Sequence, residues 1–216
     1  MAERLEAKHK GGVLVSRKIE VAADDDLEEM CHQRGWSDGL PVTPPTDVRV
    51  LRMLKGTTRQ ADEVIGKIPP YLAPCTIEKV AINAVMAGCK PEYMPVLLAV
   101  LEAALEPVFT LHGVLATTYF SGPVIIVNGP IAKQIGMNSG INALGQGNRA
   151  NMTIGRALNL IVRNVGGGKP GEADRATLGA PSKIGLCFAE DESDAEWEPL
   201  SVARGFKRGE IGRAHV

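Results

Sequence analysis

The stretch Ala73-Pro-Cys-Thr-Ile-Glu-Lys-Val-Ala-Ile-Asn-Ala-Val-Met-Ala-Gly-Cys89 constrains the fold more than any other, because it carries both ends of a helix. Pro74 ends whatever precedes it and Thr76 is a good N-cap. Gly88 supplies the stop, and Pro91 follows. Ile77, Val80, Ala81, Ala84, Val85 and Gly88 recur at helical spacing and form one apolar stripe facing a core. A second line, Cys75, Lys79 and Asn83, runs along one edge of the same helix.

That second line carries the candidate chemistry. Cys75 stands at a helix N-terminus, where partial positive charge favours an anion, and Lys79 adds a full charge one turn on. Both favour the thiolate, the reactive form of cysteine. The competing reading is a free cysteine that fills a small apolar gap.

Around this helix the pattern predicts one α/β domain over residues 13–209, a mixed sheet with helices packed on it. Strands are expected over 13–21, 63–68, 113–119, 123–128 and 183–189. Helices are expected over 24–34, 47–54, 91–105 and from about Thr153 to Val165. The run Pro123 to Asn128 is continuously apolar, as in a strand covered on both faces. The segment 91–105 is apolar nearly all round, which buries it in the domain or against a second copy of the chain. Asp24 to Asp26 read as helix-start acids rather than metal ligands.

Other segments supply candidate contacts. Trp36 and Asp38 sit in a proline-stiffened loop fit to wall a pocket. Asn128 ends an apolar strand, where ligands of α/β folds gather. The Gly/Asn-rich stretch 136–153, with Asn138, Arg149 and Asn151, feeds a helix start, and Arg156 follows. That arrangement suits an anion, although no Walker or Rossmann spacing is present. The competing account is a long polar connection whose asparagines satisfy its own backbone. His112 and Asp38 are the acid/base candidates. A faint echo between Thr76-Ile-Glu-Lys-Val and Thr153-Ile-Gly-Arg-Ala suggests two helix starts around one cleft. Cys75, Lys79, Asn128, Asn138, Arg149 and Asn151 would line it.

A net charge of -1 and no basic block argue against nucleic acid. No apolar run reaches the ~18 residues of a membrane span. The charged start, Met1 to Lys10, has no apolar h-region, which points to the cytoplasm. Cys31, Cys75, Cys89 and Cys187 form no C-x-x-C pair, and no histidine pair has metal-ligand spacing, so no metal is expected. Whether a cofactor is used is unknown from the sequence. Residues 1–12 read as a flexible charged lead-in. Ile211-Gly-Arg-Ala-His-Val216 matches one frame of a common sequencing adapter, read ATC GGA AGA GCA CAC GTC and then TGA. Residues 210–216 are therefore expected to be an artefact that leaves the domain C-terminally incomplete.

The segments Gly-Trp-Ser-Asp-Gly-Leu-Pro-Val (35–42), Glu-Lys-Val-Ala-Ile-Asn-Ala-Val-Met-Ala-Gly-Cys (78–89), Ile-Val-Asn-Gly-Pro-Ile-Ala (126–132) and Ala-Thr-Leu-Gly-Ala-Pro-Ser-Lys (176–183) resemble a bacterial protein family of unknown function. That family is associated with UGSC-type (seleno)proteins and thiol-oxidoreductase-like proteins. The resemblance implies a shared fold unit and thiol chemistry, although this chain lacks selenocysteine and a Gly-Ser-Cys motif. Two functions follow. One is an enzyme acting on a small anionic or carbonyl substrate, with Cys75 activated by Lys79, Asn83 orienting the substrate, and Arg149, Asn151 and Arg156 holding its charge. The other is a non-catalytic small-molecule-binding or assembly subunit, with 91–105 as a surface for a homo-oligomer.

Overall fold

The computed structural model describes residues 14–193 and 196–207. The expected lead-in 1–12 and the adapter-like end 210–216 lie outside the described residues. Among the described residues, eight α-helices and two small sheets make one mixed α/β unit. In chain order they are α1 (Leu27–Gln33), α2 (Asp47–Leu54), β1 (Val64–Ile68), β2 (Ala73–Thr76), α3 (Ile77–Ala87), α4 (Met94–Ala104), α5 (Leu111–Leu115), β3 (Ile125–Val127), α6 (Pro130–Gln134), α7 (Arg149–Asn164), β4 (Cys187–Ala189) and α8 (Leu200–Ala203).

Helix α3 forms where its caps dictate. The Thr76 hydroxyl accepts from Lys79 N, and Gly88 closes the last turn at φ 88°, a left-handed conformation that glycine adopts without a Cβ penalty. Its apolar stripe packs chiefly on α7, whose own stripe Ile154, Ala157, Leu158 and Ile161 is wholly buried. Each such leucine or isoleucine contributes about 1.5–3 kcal/mol by leaving water. The two helices run in opposite senses. The α7 start meets the α3 end, where Arg149 Nε donates to Gly88 O at 2.8 Å. The α7 end meets the segment before α3, where Tyr71 N donates to Gly166 O at 3.0 Å.

This packing separates the two helix starts instead of gathering them around one cleft. It also removes the echo. Helix α7 begins a turn earlier than expected, because Asn148 is the N-cap and its side chain accepts from Asn151 N. Thr153 lies inside the helix, and its hydroxyl donates back to Arg149 O at 2.7 Å.

The strands do not merge into one mixed sheet. β1 and β2 pair antiparallel, and β3 and β4 pair parallel as a separate two-stranded sheet. The expected strand over 113–119 is replaced by α5 and a loop. Residues 14–21 form no strand either, and they are anchored instead by a side chain: Glu78 accepts from Val15 N and Ser16 N at 3.1 and 3.0 Å.

Helix α4 buries Met94, Val96, Leu97, Leu98, Val100, Leu101 and Ala104 in the chain's own core. The apolar surface of α4 is thus buried within the chain itself. No single helix among the described residues is long and apolar enough to cross a membrane.

Gly155 on α7 and Gly185 before β4 let helix and strand approach backbone to backbone. A Cβ on Gly155 would lie 2.9 Å from Leu186 N, and one on Gly185 would lie 2.5 Å from Arg156 N.

Candidate functional site

A groove of about 530 Å³ opens beside α3, and it is built from six parts of the chain. The segment 14–21 forms one side, and α1 contributes Leu27 and Met30. The stiff loop contributes Trp36, Pro44 and Pro45, and α2 contributes Asp47 and Val50. The floor is α3, through Lys79, Ile82, Asn83 and Met86, with Asn164 and Val165 from the end of α7. The α3 positions fall at i, i+3, i+4 and i+7, the face beside the core stripe. The volume is that of a small-molecule pocket, and the lining is largely apolar with a few polar groups.

The segment 14–21 is held over the groove at two points. Glu78, only 1% exposed, takes the two backbone N–H groups already named, and Lys18 Nζ reaches Asp47 at 2.6 Å. Both groove carboxylates are thus engaged. The Lys79 ammonium donates to Pro74 O at 2.7 Å, which uses one of its three protons.

Three asparagine contacts tie α3, α7 and the tryptophan loop together. Asn83 Nδ2 donates to Lys79 O at 2.9 Å, and Asn83 Oδ1 accepts from Asn164 Nδ2 at 2.9 Å. Asn164 Nδ2 also donates to Trp36 O at 3.0 Å. Two carbonyl acceptors on one nitrogen fix the orientation of the Asn164 amide. Its oxygen, Oδ1, is buried and has no hydrogen-bond partner. A buried acceptor left unpaired costs free energy unless something supplies a donor.

Of the residues singled out in the sequence, Trp36, Lys79 and Asn83 line this groove. The remaining candidates lie elsewhere, and most are engaged by other parts of the chain. Cys75 is in β2, not on the helix, and pairs with Gly66 across the hairpin. It is fully buried, and that burial pushes its thiol up to about 12 against the smaller opposing pull of Lys79. The thiolate expectation therefore gives way to the gap-filling one: desolvation of an anion outweighs a helix start and one ammonium. Burial also raises Cys31, Cys89 and Cys187, with Cys89 at about 11. Iodoacetamide at neutral pH is expected to leave all four thiols unmodified in the native protein and to label all four in denaturant. Rapid native labelling of Cys75 would contradict its burial.

Asp38 and Arg156 occupy each other. Arg156 Nε and Nη2 donate to the two Asp38 oxygens at 2.8 Å each, and Nη2 also reaches Pro41 O at 2.9 Å. Burial pushes the Asp38 carboxyl up, but the Arg156 hydrogen bonds and charge outweigh it and hold the carboxyl below its ordinary range. Neither residue is left to serve a substrate. The pair instead clamps the Trp36 loop onto α7.

Arg149 caps the C-terminal end of α3, where a cation suits the last carbonyls. Asn151 is buried and pins the polar loop: its Nδ2 donates to Asn138 O and Ala143 O at 2.9 and 3.0 Å, and its Oδ1 accepts from Asn138 N at 3.1 Å. The connection does satisfy its own backbone, and Asn138 and Asn151 are consumed in doing so. Asn128 donates to Glu190 at the ends of β3 and β4, and His112 is exposed on α5, outside the groove.

Ile82, Met86 and Asn164 are among the groove residues that were not singled out from the sequence. Ile82 and Met86 make α3 apolar beyond its core stripe, and that surplus is a readable sign of a second apolar contact. Asn164 gives no such sign, because its partners are distant in sequence. Among the described residues no group of three or more His, Cys, Asp or Glu side chains could hold a metal ion. No protein-family model, curated protein or solved structure matches the chain.

Proposed function

We propose that this chain binds a small, largely apolar molecule in the groove beside α3, without thiol chemistry. One observation carries the reading: a pocket-sized groove, walled by Trp36 and floored by Ile82 and Met86, with Lys79, Asn83 and Asn164 among its few polar residues. Support also comes from what the groove omits. Its described lining contains no cysteine and no histidine, and the cysteine expected to react is buried in the hairpin. The non-catalytic reading of the sequence thus fits the geometry better than the thiol enzyme.

Trp36 offers the test. Trp197 is 77% exposed and is the only other tryptophan, so Trp197→Phe leaves the groove indole as the sole reporter. Titration with the apolar anionic dye anilinonaphthalene sulfonate is expected to give saturable energy transfer from Trp36 and a raised melting temperature. A linear, non-saturating response with an unchanged melting temperature would rule the groove out as a binding site.

A further inference from the structure

We infer that residues 14–21 are a lid on the groove, latched by Glu78 and pivoting at the turn before α1, so that the ligand enters and leaves as the lid lifts. The inference rests on the binding reading above and goes further, because it says how that site is opened.

Little holds the segment in place. It gives Leu14, Ser16, Arg17, Lys18, Ile19 and Val21 to the groove, so moving it removes one whole side. Among the described residues its backbone makes no hydrogen bond to the backbone of any other part of the chain. Two carboxylates reach it instead: Glu78 accepts from Val15 N and Ser16 N, and Asp47 takes the Lys18 ammonium. Leu14 is its one buried side chain, while Val15 and Val21 are exposed. A segment with so few buried contacts and no shared ladder opens locally at far lower cost than the helices beneath it.

The latch suits repeated opening. The Glu78 carboxylate is buried, and no cation among the described residues is paired with it. Its compensation is two consecutive backbone N–H groups, charge-assisted bonds whose donors both belong to the part that moves. Glu78 lines the groove, so on lifting water takes the place of both donors and the carboxylate regains its hydration. The charge is therefore compensated with the lid closed and with it open. A latch onto a buried cation would instead leave an unpaired charge behind.

A closed turn separates the lid from α1. Ala22 N donates to Asp25 Oδ2 at 2.9 Å, and Asp25 N donates to Ala22 O at 3.2 Å. Asp26 caps α1, and Cys31 anchors that helix in the core. Motion is thus confined to the chain before Ala22, with the turn as its hinge.

The test uses the Trp197→Phe protein. Hydrogen exchange of the Val15 and Ser16 amides reports the lid, and stopped-flow binding of anilinonaphthalene sulfonate, read through Trp36, reports the groove. Glu78→Gln replaces one acceptor oxygen by an amide nitrogen that faces a lid N–H. Both amides are expected to exchange about tenfold faster, the size of one lost charge-assisted bond, and the dye to bind and leave faster by a similar factor. Lys18→Ala, an exposed change that spares the core, should move all of these the same way by about two- to threefold, and it decides the matter if Glu78→Gln does not fold. Faster exchange with unchanged dye rates would overturn the inference and leave the groove as an open site. Unchanged exchange in both variants would overturn it too, since the segment would then not be held by this latch. Absence of saturable dye binding in every protein would remove the groove reading, and the lid's role with it.

Discussion

Arg156→Ala is expected to lower the unfolding free energy by about 3–5 kcal/mol, the usual cost of removing one partner from a buried ion pair. The Arg156 and Asp38 side chains are 14% and 15% exposed, so water replaces the lost guanidinium only in part. The variant leaves a carboxylate buried without its fork and strands the carbonyls of Leu40 and Pro41. Arg156→Lys should fall between, because an ammonium cannot bridge both carboxylate oxygens in the same planar geometry.

The pH dependence gives the sign. In the native protein the Asp38 carboxyl lies below its unfolded value of 3.8, so its contribution is present above that pH and is lost as pH falls through the folded value. In Arg156→Ala burial is opposed only by the backbone hydrogen bonds to the carboxylate, so the folded value should rise and the loss of stability on acidification should shrink. Urea unfolding of both proteins across the acid range measures the two slopes. Parallel curves separated by less than about 1 kcal/mol would class the pair with solvated surface bridges.

Gly155→Leu is expected to destabilise by about 3 kcal/mol, the upper range for forcing atoms into a packed site, and Gly155→Ala by about 1 kcal/mol or more. Helix propensity argues the other way, since alanine in a helix interior is favoured over glycine by ~1 kcal/mol. Geometry wins because the atom met at 2.9 Å is the backbone nitrogen of Leu186, which cannot swing aside as a side chain could. The same substitution tests whether β4 is carried on α7, since the clash must displace one from the other. Thermal unfolding decides it: a stabilised Gly155→Ala would mean that the two backbones are not in contact.

Much of the helical framework was legible, because caps and apolar periods are local. Thr76 and Gly88 bound α3, as their residue types require, and Asp26 caps α1 with its carboxylate on Glu28 N and Glu29 N. Local signals failed where two competed. Asn148 took the N-cap of α7 in place of Thr153, five residues later, since asparagine caps as well as threonine.

The candidate site was less legible, because its chemistry depends on long-range pairing. Arg156 looks like an anion ligand until Asp38 is found beside it, and Cys75 looks like a thiolate until Gly66 places it inside a hairpin. Residues that advertise charge in sequence were spent on holding the fold. The groove was assembled instead by side chains with weaker signals, the surplus apolar face of α3 and the amide of Asn164.

The most direct measurement of the central claim is a titration with anilinonaphthalene sulfonate followed through the side-chain N–H resonances of tryptophan and asparagine. The account predicts that the Trp36 indole and the Asn83 and Asn164 amides shift together and saturate, while the Asn128 and Asn151 amides stay still. Shifts at Asn128 or Asn151 with the groove resonances unmoved would contradict it.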